Sequence, residues 1–260
     1  MSARLVSLVL ALLVFGPGPA AAAGGLGVVL LHDKGAAPEQ LAKLAAALSG
    51  AGFQAVAPQM CWSGVRLLDK AYADCLTDVD AAIADLRKKG ATEVVLGGAA
   101  QGAVFAIDYG ATHAGLVGII AIGPSADPPD PSRYPEFAAS LKAAQAALKK
   151  RQGQVSASFT ELVASQPVAI TTTAAIYLSF HGPQSTIATI RAIKAKGLPK
   201  LGVPLLWIAG TNDPAQVSTR AVFAAAPENK LSAYVRVEAD HAGTADASAG
   251  AVIAWLKSLG

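Results

Sequence analysis

The hydrophobic positions of this chain fall into two alternating rhythms. LGVVLLH (26–32) is a continuous apolar run, the pattern of a strand covered on both faces. VPLLWIAG (203–210) resumes it, and FQAVAP (53–58), EVVLGG (93–98), GLVGIIAIG (115–123) and LSAYVRVEA (231–239) read as further strands, six in all. Between them the apolar positions take helical spacing. PEQLAKLAAALSGAG predicts a helix with Pro38 near its start and Gly50 at its end. Further helices are expected over about 70–89 and 214–226, over STIATIRAIKAKG, and over AGAVIAWLKSLG at the end of the chain. Strands alternating with helices imply one mostly parallel sheet with helices on both faces, an α/β fold.

The rhythm breaks once. GPSADPPDPSRYPEF is too rich in proline to continue a sheet. Residues 136–151 read as an amphipathic helix, a Ser/Thr-rich stretch follows, and AAIYLSFHGP is expected to add a short strand. The interruption, about 124–182, is an insertion in a single domain that covers 24–260, since no linker and no repeat divides the rest.

Residues 1–23 have a different design. Arg4 precedes an apolar stretch, Leu5 to Phe15, too short to span a bilayer, and Ala21-Ala22-Ala23 offers a cleavage site. This is the pattern of a secretory signal peptide and predicts export to the periplasm or beyond, an uncleaved anchor being the alternative. The two cysteines, Cys61 and Cys75, would then meet an oxidising compartment, where a close pair tends to bridge. Two unpaired, partly buried thiols are the alternative, because spacing does not fix geometry. Hydrophobic residues make up 53% of the chain and charged residues 15%, with net charge +3 and no basic run. That composition suits a large core and lacks the concentrated basic face that nucleic acid requires.

In such sheets ligands bind beyond the carboxyl ends of the strands, so the chemistry is sought there. His32-Asp33-Lys34-Gly35 follow the first strand, Cys61-Trp62-Ser63 the second, Gly98-Ala99-Ala100-Gln101-Gly102 the third, Asp213 the fifth and His241 the last. The glycine frame after the third strand is that of a nucleophile elbow, G-x-S-x-G, with alanine at the serine position. An acid and then a histidine follow it in the chain order of the α/β-hydrolase fold.

LLHDKG, the MCWSG loop, VVLGGAAQGA, LLWIAGTNDP and ADHAGT, in this order, resemble an exported α/β-hydrolase of the small type related to dienelactone hydrolases. The resemblance spans about 26–259 and implies a lid-like insertion before the acid. It implies that Asp213 and His241 are triad acid and base, and that Ala100 is the vacant nucleophile position. It also implies that the Gln101 N–H and the turn at Asp33 and Lys34 form the oxyanion hole. The chain departs from that pattern at three points: Ala100, Asp33 where relatives commonly carry Gly, and Ala99 where they often carry His. A carboxylate beside an oxyanion hole opposes developing negative charge.

His32 is a candidate for the cleft or for a strand-end hydrogen bond, and Trp62 for a pocket wall or for loop packing. Ser63, Ser125 and Thr244 are the nearby hydroxyls, and His113 and His181 are expected to face solvent. No spacing supports a metal site from His32, Asp33 and His241, and no cofactor is implied. Three readings stay open: an enzyme in which His241 activates water, a small-molecule binding protein on the same scaffold, and an enzyme whose nucleophile comes from elsewhere, such as Ser125.

Overall fold

The computed structural model describes residues 25–125, 130–163 and 166–260. The expected export signal lies outside the described residues. Six strands, β1 (Leu26–Leu31), β2 (Gln54–Val56), β3 (Glu93–Ala99), β4 (Gly118–Ile122), β7 (Leu205–Gly210) and β8 (Ala233–Val237), form one sheet in the order β2-β1-β3-β4-β7-β8. Every neighbouring pair is parallel. The central strands β1, β4 and β7 are buried along their whole length, as their unbroken apolar runs require.

Alternate side chains of each strand feed two cores. Val28, Leu30, Val95, Ile120 and Ile208 pack with Leu44, Leu48, Val252 and Trp255 on one face. Those partners come from α1 (Ala42–Gly50) and the terminal helix α9 (Ala249–Lys257), which follows the short α8 (Thr244–Ala247). Val29, Leu31, Leu96, Ile119 and Ala121 pack on the other face with α2 (Tyr72–Lys88) and α3 (Gln101–Thr112). The expected helix over 214–226 is instead a 3-10 turn, Pro214–Gln216, and one turn of helix, α7 (Arg220–Phe223).

The insertion holds α4 (Pro135–Lys149), an antiparallel hairpin of β5 (Ser156–Val163) and β6 (Gln166–Thr173), and α5 (Ala174–His181). The Ser/Thr-rich stretch is therefore a two-stranded sheet. AAIYLSFHGP, expected as a strand, is the helix α5, begun by the Thr173 side chain accepting the Ile176 N–H. A short apolar run does not distinguish strand from buried helix, and here the cap decides. After it, α6 (Ile190–Lys196) returns the chain to the main sheet.

The insertion is tied down. Ser179 Oγ accepts the Tyr72 N–H at 2.9 Å, and the Thr172 hydroxyl donates to the Leu68 carbonyl at 3.1 Å. Cys61 and Cys75 form a disulfide, with Cα atoms 5.7 Å apart, that fastens the loop after β2 to the first turn of α2.

Candidate active site

The elbow between β3 and α3 is formed. Ala100 sits at φ 51° and ψ −118°, a conformation that L-residues avoid. Its N–H donates to the Ile122 carbonyl at 2.9 Å, which fixes the turn against β4. The two glycines of the frame allow the close packing. A Cβ on Gly98 would lie 2.3 Å from the backbone of Gly102, and one on Gly102 would lie 2.3 Å from the Leu31 carbonyl oxygen. The corner thus has the strained strand-to-helix geometry of an elbow, and the side chain it presents is a methyl group.

Asp213 and His241 are brought together from the loops after β7 and β8. His241 Nδ1 donates to Asp213 Oδ2 at 2.6 Å. The other carboxylate oxygen of Asp213, a side chain only 3% exposed, accepts the Ala215 N–H at 2.9 Å and so starts the 3-10 turn. That second bond orients the acid, and the acid in turn fixes the imidazole tautomer with Nε2 as the basic nitrogen. The His241 side chain is 44% exposed.

The turn after β1 holds Asp33, where the resemblance implied glycine. Asp33 folds its carboxylate back over the elbow: Oδ1 accepts the Gln101 N–H at 3.0 Å and the Lys34 N–H at 2.7 Å. Burial pushes the Asp33 carboxyl up. The Gln101 and Lys34 amides, the Lys34 charge and His241 pull against that rise.

His32 and Trp62 support this turn from below. Both are buried. His32 Nδ1 donates to the Asp33 carbonyl at 2.8 Å, and its Nε2 accepts the Met60 N–H at 3.3 Å. Burial pushes this imidazole down in pKa, in keeping with a neutral ring that donates on one side and accepts on the other. The Trp62 indole donates to the His32 carbonyl at 3.1 Å and packs on Phe105 at 4.1 Å between centroids. Both side chains serve the geometry of the turn from the core. Of the hydroxyls, Ser125 lies beside the elbow, its N–H donating to the Ala100 carbonyl at 3.3 Å. Thr244 donates to the Asp240 carbonyl at 2.5 Å. Ser63 is fully buried, with no partner for its hydroxyl among the described residues.

Sequence reasoning missed a buried ion cluster that joins the lid to this turn. Lys34 Nζ donates to Glu161 Oε1 at 2.5 Å, and His181 Nε2 donates to Glu161 Oε2 at 2.7 Å. His181, expected to face solvent, is 9% exposed and lies against Phe137 and Tyr177. Burial pushes Glu161 up, but Lys34 and then His181 outweigh it and hold its carboxyl far below the usual carboxylate range. Burial pushes the His181 imidazole below its ordinary value, against the pull of Glu161. A signal existed: Glu161 shares the buried phase of β5 with Phe159, and a charge in a core-facing phase requires a partner.

Comparison with solved structures settles the fold. The chain superposes on one structure described under LipS and LipT, two metagenome-derived lipolytic enzymes, with a TM-score of 0.60 at 16% identity, covering 90% of this chain and 93% of that one. The monoacylglycerol lipase of Paleococcus ferrophilus gives 0.60 at 18% identity, covering 90% and 95%. The enol-lactonase of Burkholderia xenovorans LB400 gives 0.55 at 18%, covering 90% and 92%. This chain has the α/β-hydrolase fold. No protein-family model matches it, and no curated protein sequence does. In this α/β-hydrolase fold Ala100, Asp213 and His241 follow β3, β7 and β8.

Proposed function

We propose that this is an exported, dienelactone-hydrolase-like protein that has given up covalent ester hydrolysis and holds a small apolar or ester-like molecule in the former active-site cleft. One observation carries the reading. A strained elbow with its acid–base pair still assembled presents Ala100, whose methyl group has neither a lone pair to attack with nor a proton to lose. Function lives in the site, so a hydrolase fold alone does not argue for turnover.

The intact Asp213–His241 pair favours a second reading, in which His241 takes a proton from water and the Asp213 carboxylate stabilises the imidazolium that forms. The two readings separate in one assay. Mature wild type and His241→Ala are mixed with p-nitrophenyl butyrate, following p-nitrophenolate release and thermal unfolding together. The binding reading expects a raised Tm in the wild type and release no faster than in buffer. Release by the wild type that His241→Ala abolishes overturns it in favour of water activation.

A further inference from the structure

The two backbone N–H groups that should meet a substrate oxygen are both engaged by a single atom of the protein itself. Gln101 follows the elbow position and Lys34 lies in the turn after β1, and their amides converge on Asp33 Oδ1 at 3.0 and 2.7 Å. One negatively charged oxygen receiving two converging amides is the arrangement these sites use for a developing oxyanion. The residue supplying it is fixed on both sides. Its N–H donates to Gln40 Oε1 at 2.8 Å, and its carbonyl accepts the His32 ring N–H at 2.8 Å. Lys34, next in the chain, is anchored through its side chain to Glu161.

We infer that Asp33 is a built-in occupant of the oxyanion hole. Its carboxylate takes up the two amides that would otherwise receive a carbonyl or anionic oxygen, so a molecule held in the cleft is held by other contacts. This rests on reading the cleft as a hydrolase site without its nucleophile, but it is a separate obstacle from Ala100. The hole is preformed and filled, so its donors are available once the carboxylate is gone. Restoring a hydroxyl at the elbow therefore leaves the reacting oxygen without donors and facing a negative charge. Shortening residue 33 frees both amides at once.

Organophosphate labelling tests this. Diethyl p-nitrophenyl phosphate is added to Ala100→Ser, to Ala100→Ser/Asp33→Gly and to Ala100→Ser/Asp33→Ala, and intact mass is followed with time. In the reaction the introduced hydroxyl oxygen attacks phosphorus and its proton passes to His241 Nε2. The phosphorus–oxygen bond to the leaving group breaks, its electron pair departing with p-nitrophenolate, and the protein retains the diethylphosphoryl group. One oxyanion donor is worth about 10²–10³-fold in rate, so the double variants should label at least about 10²-fold faster than Ala100→Ser. Equal rates in single and double variants overturn the inference, whether all label or none does, provided thermal unfolding shows them folded.

A second measurement needs no change at residue 33. In a pH titration of the folded wild type, the amide resonances of Gln101 and Lys34 should move together with one midpoint, as a shared carboxylate gains its proton. Lys34, His241 and the adjacent His32 ring are the titratable groups that act on Asp33, so the common midpoint should persist in His241→Ala. Separate midpoints, or none, overturn the inference. Ester turnover by the wild type would instead sink the non-catalytic reading, so the two failures are distinguishable.

Discussion

Ala100 carries backbone strain without the hydroxyl that such strain usually serves. A non-glycine residue held at its φ and ψ costs about 1–3 kcal/mol, whereas glycine there loses about 0.5–1 kcal/mol in chain entropy. Ala100→Gly should therefore be neutral to stabilising, by up to about 2 kcal/mol in denaturant unfolding, and a clear loss would mean that the methyl group has a packing role. Gly102→Ala should do the opposite. Its Cβ would lie 2.3 Å from the Leu31 carbonyl oxygen and 2.5 Å from that of His32, and backbone cannot retreat as a flexible side chain can. A loss of about 3 kcal/mol or more is expected in the same measurement. These residues were legible in the sequence because glycine spacing reports backbone demands directly. The fold of the Asp33 side chain over Gln101 was not, since side-chain direction depends on contacts made by other loops. Residue type alone placed a carboxylate at the turn; the three-dimensional structure brings its oxygen onto the Gln101 and Lys34 amides.

At the scale of elements, β1, β4 and β7 were readable as continuous apolar runs and the other three sheet strands as apolar-rich segments, with bounds that shifted by up to three residues at the ends. The hairpin of β5 and β6 was not, because it pairs with itself and shows no strong apolar face to the sequence. Its link to the core is chemical. Glu161 is 2% exposed and meets Lys34 and His181, so removing one partner strands a buried charge. Lys34→Ala should cost about 3–5 kcal/mol, while Lys34→Met/Glu161→Leu should recover most of that loss. The cluster also sets a pH dependence. Glu161 and His181 are both held below their ordinary values, so each binds protons more readily in the unfolded chain. Their contribution to stability is complete above the ordinary values and is lost as pH falls through the lowered ones. Stability should begin to decline below about pH 6.5, where free imidazole takes its proton, and decline further below about pH 4.3, where free glutamate does. Glu161→Gln should flatten the lower part of that Tm profile, and an unchanged slope there would remove Glu161 as its source.

Across the whole molecule, the disulfide, the turn after β1 and the lid form one supporting frame around the elbow. The Cys61–Cys75 bridge closes a loop with a sequence separation of 14, and inside that loop lies Trp62, whose carbonyl accepts the Gly35 N–H at 2.8 Å and whose indole holds the His32 carbonyl. Closing a loop of this length is worth about 3 kcal/mol in the unfolded chain. For a protein of this size each kcal/mol moves Tm by about 2–4 °C, so reduction should lower Tm by roughly 6–12 °C. Export would keep the bridge formed, and a reducing compartment would leave the protein with this smaller margin. Placement of the bridge adds a local expectation. Because the loop steadies His32 and the Asp33 turn, reduction should raise hydrogen exchange at the Lys34 and Gly35 amides more than at the buried amides of β4. A uniform rise across both would mean that the bridge stabilises the chain globally and leaves the turn to be held by packing alone.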